Sequence, residues 1–338
     1  MASSLVHCEL IASELNTLTT IQLDEEHQVL FALTNYFLTR IDLTKTSDNS
    51  QIICQHNRKA QGEDNENDDY YSQGESDDEM PRESDPFEDS EPSTDDDEET
   101  IADRRNWRRY AWRTYKLDNP CSILFLPEEN RLVVLNEGVI TFMTIDMENG
   151  RPFAKGPSMN IFCFDYEIFT QNSIQPWSIA PTATVGLFVF SLLDSTQLYS
   201  LDISKESPVI KQMIRTSVAY CPNLLFHSQS NTLFVYDSTQ LFAVSLTDGT
   251  VATVDFPKLD KEHTISAITT DKMGYVYILT ELTIFKCTWT SQLHPVERLE
   301  KIDVPPTCAY MVVTKAGTDF YLSDTNAGSI YRCRKVSA

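Results

Sequence analysis

A pentapeptide that occurs twice constrains the fold of this chain more than any other feature. Asp-Ser-Thr-Gln-Leu stands at residues 194–198 and again at residues 237–241, an offset of 43 residues. The frame continues forward, because Phe285 follows Phe242 at the same offset and Tyr331 comes 46 residues later. A period of this size is typical of chains built from radial or stacked repeats.

Each repeat contains four short runs rich in Val, Ile, Phe, Tyr and Thr, separated by turns rich in Asn, Asp and Gly. This is the pattern of a four-stranded propeller blade, and helical spacing is nowhere sustained. Traced backward, the frame also fits the residues around Phe142 and Leu38, which gives six units. We therefore predict an all-β chain that forms a single β-propeller of six four-stranded blades, with seven blades as the alternative.

The two ends of the chain complete each other in this frame. The sequence ends at Ala338, directly after the third strand of the last unit, whereas the run LVHCELIAS at residues 5–13 belongs to no unit. If this N-terminal run supplies the missing outer strand of the last blade, no blade is left with an unpaired edge strand. The sequence thus predicts a ring closed by its N-terminal strand.

The charge of the chain is concentrated in one insert. Between Gln61 and Asp103 there are 20 Asp and Glu residues and one basic residue, Arg82, so this segment carries −19 of the formal −23. It has almost no aliphatic residues and no periodicity, a composition that cannot bury enough apolar surface to fold alone. We predict a disordered acidic insert at 57–103 and a propeller formed by residues 1–56 and 104–338.

A basic and aromatic run, RRNWRRYAWRTYKL, follows the insert at residues 104–117. Aligning Leu117 and Cys121 with Val304 and Cys308 predicts that RYAWRTYKL is the outer strand of blade one, with the acidic insert as a loop between its third and fourth strands. As an alternative, the rings would stack on RNA bases and the arginines would bind phosphates. The neighbouring acidic tract competes for the same cations and disfavours nucleic acid. The candidate rim patch comprises Arg104, Arg105, Trp107, Arg108, Arg109 and Arg113.

No catalytic or metal-binding constellation is evident in the sequence. The six histidines are isolated, there is no G-x-S-x-G elbow or glycine-rich phosphate loop, and the chain has ten glycines in all. We therefore predict no catalytic residues, no metal ligands and no cofactor. The eight cysteines contain no C-x-x-C pair, and we expect them to be reduced packing residues.

The N-terminus MASSLVHCELIASEL lacks the features of a signal peptide, and no window approaches 18 apolar residues. We expect an intracellular protein of the nucleus or cytoplasm that is neither secreted nor inserted in a membrane.

The runs SAITTDKMGYVYIL and LSDTNAGSIYRC resemble units of six-bladed propellers of the NHL-repeat and SMP-30-like groups. That resemblance implies, as an alternative function, a metal-dependent hydrolase whose ligands lie near the starts of the inner strands. The matching positions carry few carboxylates, which does not suit a hard cation. They are Asn119, Gln175, Asn223, Thr264 and Thr307. The blades also resemble WD-type repeats in blade length and in Asp42, Asp146 and Asp202, but no unit has a Trp-Asp dipeptide.

The acidic insert carries candidate regulatory sites. Four residues have Asp or Glu three positions later, as acidophilic kinases prefer: Ser72, Ser76, Ser93 and Thr94. Asp85, Pro86 and Phe87 form a D-P-F triplet that looks like a ligand of clathrin-adaptor appendage domains. Together these features favour a non-enzymatic scaffold or adaptor in a multi-subunit complex, with the insert as a tether or docking site for basic proteins such as histones or ribosomal proteins. A merely solubilising insert is the simpler alternative.

Overall fold

The structure is a computed structural model. It describes residues 2–15, 18–35, 37–45, 50–55, 120–136, 139–148, 151–162, 175–204, 208–218, 222–255, 264–281, 283–302 and 307–335.

The described residues form six four-stranded antiparallel blades, which confirms the predicted all-β propeller and its blade number. A single turn of 3₁₀ helix at Pro127–Glu129 is the helix of the described part, and no helix there is long and apolar enough to cross a membrane. Blade one consists of β2 (Leu18–Asp24), β3 (Val29–Thr34), β4 (Phe37–Asp42) and β5 (Ser50–Gln55). Blade two consists of β6 (Ser122–Leu126), β7 (Arg131–Asn136), β8 (Val139–Glu148) and β9 (Arg151–Phe162). Blade three consists of β10 (Pro176–Pro181), β11 (Leu187–Leu192), β12 (Gln197–Asp202) and β13 (Val209–Arg215).

Blades four to six follow the same order. Blade four consists of β14 (Asn223–His227), β15 (Thr232–Tyr236), β16 (Leu241–Ser245) and β17 (Val251–Thr253). Blade five consists of β18 (Ala267–Thr270), β19 (Tyr275–Leu279), β20 (Thr283–Trp289) and β21 (Leu293–Ile302). Blade six consists of β22 (Cys308–Val313), β23 (Asp319–Asp324) and β24 (Ser329–Lys335), with β1 (Ala2–Ala12) as its outer strand.

The N-terminal strand closes the ring, as predicted. β1 pairs antiparallel with β24, with Cys8 opposite Cys333, and this pairing completes blade six. β1 also pairs in parallel with β21 of blade five, with Ser4 opposite Leu299, so that blades five and six share one eight-stranded sheet. No sequence pattern predicts this second pairing.

The hydrophobic core lies between neighbouring blades. All six residues of β3 are buried, because each face of a blade packs against the next blade and side chains on both faces leave water. Between blades two and three, Phe142 and Phe188 meet edge to face with ring centroids 5.5 Å apart. The second strands therefore read as continuous apolar runs rather than as alternating ones.

The prediction that RYAWRTYKL forms the outer strand of blade one was wrong. Ser50–Gln55 occupies that position, with Gln51 opposite Arg40 of β4. The acidic segment therefore follows the fourth strand of blade one and belongs to the connection between blades one and two, not to a loop between the third and fourth strands. Residues 104–119 and the whole of 57–103 lie outside the described residues, so the disorder of the insert and the domain boundaries stay predictions.

The antiparallel order gives the propeller two distinct faces. We call "lower face" the one with the turns between first and second strands and between third and fourth strands. The "upper face" carries the turns between second and third strands and the connections from one blade to the next. The connection that contains the acidic segment leaves at Gln55 and returns at Pro120, both on the upper face.

Two of the cysteines are not reduced packing residues, contrary to prediction. Cys8 and Cys333 are joined by a disulfide that closes a loop with a sequence separation of 325 residues. They stand directly opposite each other on β1 and β24, so strand register alone brings them together. Cys121 and Cys287 are free, as expected.

Gly328 lies where blade six meets the link from β1 to β2. Its φ is +60°, its carbonyl accepts a hydrogen bond from Leu15 N, and a Cβ at this position would lie 2.5 Å from Leu15 O. We expect Gly328→Ala to lower the free energy of unfolding by about 3 kcal/mol. The alanine would be strained at this positive φ, and its Cβ would clash with the Leu15 carbonyl.

The matched control for this prediction is Gly249→Ala. Gly249 also has a positive φ, +75°, but its nearest neighbour would be Ile214 Cδ1 at 3.5 Å. Urea denaturation should therefore show the smaller loss for Gly249→Ala, and equal losses would contradict the role of Leu15.

Candidate functional site

The sites predicted within the acidic insert and the basic run cannot be located in the described structure. The candidate phosphorylation sites, the D-P-F triplet and the rim patch of arginines all lie outside the described residues, and no property of the structure tests them. Among the positions suggested by the propeller resemblance, Gln175 directly precedes β10, Asn223 begins β14 and Thr307 directly precedes β22. Thr264 lies three residues before β18, and Asn119 is outside the described residues.

Hydrogen bonds join the first turns of four consecutive blades on the lower face. In blade four, Gln229 Nε2 donates to the Lys272 carbonyl of blade five at 3.0 Å. Lys272 N donates to the Lys315 carbonyl of blade six at 3.1 Å, and Lys315 N donates to Glu25 Oε2 of blade one at 2.6 Å. We call these turns the four-turn cluster; it comprises residues 25–28, 228–231, 271–274 and 314–318.

His227 anchors blade four to this cluster from the core side. It is 4% exposed, and its Nε2 lies 3.0 Å from the Gly274 carbonyl while its Nδ1 lies 2.7 Å from Ser230 Oγ. Because a carbonyl only accepts hydrogen bonds, Nε2 is the donor to Gly274, and Nδ1 forms a second hydrogen bond with the Ser230 hydroxyl. His227 thus links blade four to the turn of blade five through a buried side chain.

Asp271 shapes the turn of blade five. Its Oδ1 accepts the amides of Met273 and Tyr275, each at 2.9 Å, and its Oδ2 accepts the Tyr277 hydroxyl at 2.9 Å. Burial, and then the hydrogen bond to Asp271, raise the pKa of the Tyr277 hydroxyl, which therefore stays protonated as the donor. Gly317 of blade six packs so close that a Cβ there would lie 2.4 Å from this hydroxyl.

The fixed turns present one large apolar side chain and two lysines to solvent. Met273 is 69% exposed on a turn whose backbone is held by Asp271, and Lys272 and Lys315 are exposed on either side of the contact between blades five and six. An exposed methionine on a turn held by hydrogen bonds is suited to bind a protein surface, since its flexible thioether adapts to many shapes. Val185, which is 79% exposed, lies on the corresponding turn of blade three, outside the cluster.

A second polar group lies at the outer rim between blades five and six. Glu297 of β21 accepts a hydrogen bond from Ser4 Oγ of β1 at 2.7 Å and pairs with Lys335 Nζ of β24. Burial acts to raise the pKa of Glu297, but the hydrogen bonds from Lys335 and Ser4 outweigh it, so this pKa lies below its ordinary value. Lys286 Nζ stands 3.9 Å from the ring centroid of Tyr275 in the same group. The Ser4 hydrogen bond ties β1 to β21, and the Lys335 ion pair joins β21 to β24.

The remaining singled-out side chains have structural roles. Asp42 Oδ1 accepts Thr44 N and Asp202 Oδ1 accepts Ser204 N, each at 3.0 Å, so these aspartates cap the turns between third and fourth strands. Burial raises the pKa of the Cys121 thiol to about 12, and its Sγ donates to the Pro176 carbonyl. A thiol of this kind is not a nucleophile at neutral pH. Within the described residues, no three His, Cys, Asp or Glu side chains group as metal ligands would.

Solved propellers share this fold at low sequence identity. A luciferin-regenerating enzyme aligns over 97% of this chain and 94% of its own, with TM-score 0.58 and 12% identity. A gluconolactonase from Xanthomonas campestris aligns over 97% and 89%, with TM-score 0.56 and 10% identity. The β-propeller domain of Cps50 (Swd1) from Myceliophthora thermophila aligns over 98% and 100%, with TM-score 0.55 and 9% identity. No protein-family profile and no curated protein sequence matches the chain.

The comparison confirms the predicted six-bladed fold of the SMP-30 and gluconolactonase type. At such identities the likeness concerns the fold alone, because one propeller architecture supports enzymes and binding modules alike.

Sequence reasoning missed the four-turn cluster. The run Asp271-Lys272-Met273-Gly274 is a recognisable turn signal. The sequence does not show that Gln229, His227 and the Lys315 carbonyl of other blades contact its main chain.

Proposed function

We propose that this protein is a non-enzymatic propeller scaffold that binds other proteins within a multi-subunit complex. The observation that carries the proposal is the four-turn cluster, a set of turns held by hydrogen bonds from blade to blade that presents Met273, Lys272 and Lys315. A surface with little conformational freedom loses little entropy on association, which favours binding. The lysines would favour a partner with acidic groups around an apolar centre.

The acidic insert would act as a second contact of the same scaffold. Its −19 charge would attract basic proteins such as histones or ribosomal proteins, and phosphorylation at Ser72, Ser76, Ser93 or Thr94 would strengthen that attraction. This role, like the D-P-F docking motif and an intracellular location, rests on the sequence alone. The two contacts have opposite charge preferences, so their partners can be told apart.

The test is affinity purification of three variants of the full chain, with partners quantified by mass spectrometry. We expect Met273→Glu to reduce recovery of partners at the lower face at least about tenfold, the loss typical of a central interface residue. Val185→Glu is the matched control, because it places the same charge on an equally exposed turn outside the cluster. It should leave recovery unchanged.

Replacement of residues 61–103 by a short Gly-Ser linker should remove only basic partners. If Met273→Glu and Val185→Glu both recover the same partners as the intact chain, the four-turn cluster is not the interaction surface. If the linker variant also matches the intact chain, the scaffold proposal fails for the insert as well.

A further inference from the structure

Blade six differs from the other blades in the way its outer strand is held. In blades one to five the fourth strand follows the third along the chain, whereas the fourth strand of blade six is β1, from the opposite end of the sequence. The disulfide between Cys8 and Cys333 is the covalent link that joins β1 to the rest of its blade. Whether the ring is covalently closed therefore depends on one cysteine pair.

Strand register, not the bond, brings this pair together. Val6 lies opposite Lys335 and Leu10 opposite Tyr331, so the ladder on both sides of the cysteines holds them face to face. The second ladder to β21 and the Ser4–Glu297 hydrogen bond add support that involves no sulfur. The oxidised and reduced pair can thus occupy the same fold, which makes the bond reversible without refolding.

The two cysteines differ in how close they lie to solvent. Cys8 is 8% exposed and Cys333 is fully buried, in a core shared with Leu299 and Phe320. His7, Glu9 and Leu10, which neighbour Cys8 on β1, are exposed. A short displacement of β1 at the rim would therefore uncover Cys8 Sγ first, while the other strands of the blade keep their pairing.

We propose that Cys8–Cys333 is a redox-controlled latch that determines how firmly β1 closes the ring. A dithiol reductant opens it: one thiolate attacks Cys8 Sγ, the bond between the cysteines breaks, and Cys333 leaves as a thiolate that takes a proton. The second thiol then displaces Cys8, so that the protein gains two electrons and two protons and the reductant leaves as a cyclic disulfide. The latch opens in a reducing compartment and closes in an oxidising one.

The reduced latch lets β1 open locally. In the oxidised chain the bond restrains β1 at its middle, whereas the reduced strand is held by hydrogen bonds and the Glu297 contacts alone and frays independently of the other blades. Opening would uncover the edges of β21 and β24, which are templates for strand pairing. This inference is independent of the proposed scaffold function, since it concerns ring closure.

The test compares full-length protein before and after treatment with dithiothreitol, with the thiol state of each cysteine determined by alkylation and peptide mapping. We expect amide exchange in residues 2–12 to become about a hundredfold faster on reduction, the factor that a typical disulfide contributes. Exchange in β11 should not change, and reoxidation should restore the slow rate. Confirmed reduction without faster exchange in residues 2–12 would overturn the proposal.

Variants distinguish the effect of reducing the Cys8–Cys333 disulfide from any effect of dithiothreitol on other cysteines. Cys8→Ala with Cys333→Ala should show the fast exchange of β1 without reductant and no further response to it. Cys287→Ala removes a fully buried cysteine that forms no disulfide, so its response to reductant should equal that of the intact chain. A double variant that still responds to dithiothreitol would reject the latch. If that variant does not fold, the reduction experiment on the intact chain decides alone.

Discussion

Deletion of residues 1–12 is expected to abolish the folded monomer. The truncation removes the outer strand of blade six, takes the fully buried Val6 and the disulfide out of the core, and leaves β21 and β24 with unpaired edges. The disulfide alone contributes about 2–5 kcal/mol, and a whole domain is stable by only about 5–15 kcal/mol. The combined loss therefore approaches the entire free energy of unfolding.

Size-exclusion chromatography and thermal denaturation followed by circular dichroism test this deletion. The truncated chain should elute as aggregate or melt without a cooperative transition, because exposed strand edges pair with other chains. Leu10→Gln is the control, since Leu10 is 54% exposed on the same strand and its replacement should change stability by less than about 0.5 kcal/mol. A peptide of residues 1–13 added to the truncated chain should restore the monomer. A truncated monomer that melts at the temperature of the intact chain would contradict the closure of the ring by β1.

The blade number and the ring closure could be predicted because both follow from the number of repeat units and the number of strands in each unit. A repeated pentapeptide fixes the period, and the frame assigns three strands to the last unit and leaves one N-terminal run without a unit. The partner strand was then identifiable, since the run at residues 5–13 had no blade of its own. The parallel pairing of β1 with β21 was not predictable, because it depends on how closely the rims of blades five and six approach.

The outer strand of blade one was misassigned because β-propensity does not decide pairing by itself. The run at 109–117 is richer in aromatic residues than Ser50–Gln55, yet Ser50–Gln55 begins only eight residues after the end of β4. Pairing across the acidic insert would close a loop about eight times longer, an entropic cost of about 2 kcal/mol. A segment close to its partner strand thus pairs in preference to a more aromatic run far along the chain.

The disulfide could have been found once closure was assumed. Placing residues 5–13 against the last strand aligns Cys8 with Cys333 in one register, but a sequence separation of 325 residues hides the pair from any search for local motifs. The four-turn cluster carried no comparable signal, because each of its hydrogen bonds between blades uses a main-chain amide or carbonyl, which residues of almost every type supply.

Replacement of Phe234 by Ala is expected to lower the free energy of unfolding by about 3–5 kcal/mol, the range for a fully buried phenylalanine. Phe234 packs between blades four and five, edge to face with Trp289 at 4.9 Å between ring centroids and with His227 at 6.1 Å. The cavity would lie beside the histidine that holds the Gly274 carbonyl, so the variant should also loosen the four-turn cluster.

Urea denaturation measures the loss for Phe234→Ala, and amide exchange of residues 271–274 measures the loosening of the turn. Val251→Ala is the control, because Val251 lies on the outer strand of blade four with 40% of its surface exposed and should change neither quantity appreciably. Loss of stability with unchanged exchange at the turn would mean that the lower face is held by its own hydrogen bonds and is independent of the blade core. Loss of stability together with faster exchange at the turn would mean that packing between blades four and five keeps Met273 in place. Core substitutions far from any partner would then weaken binding.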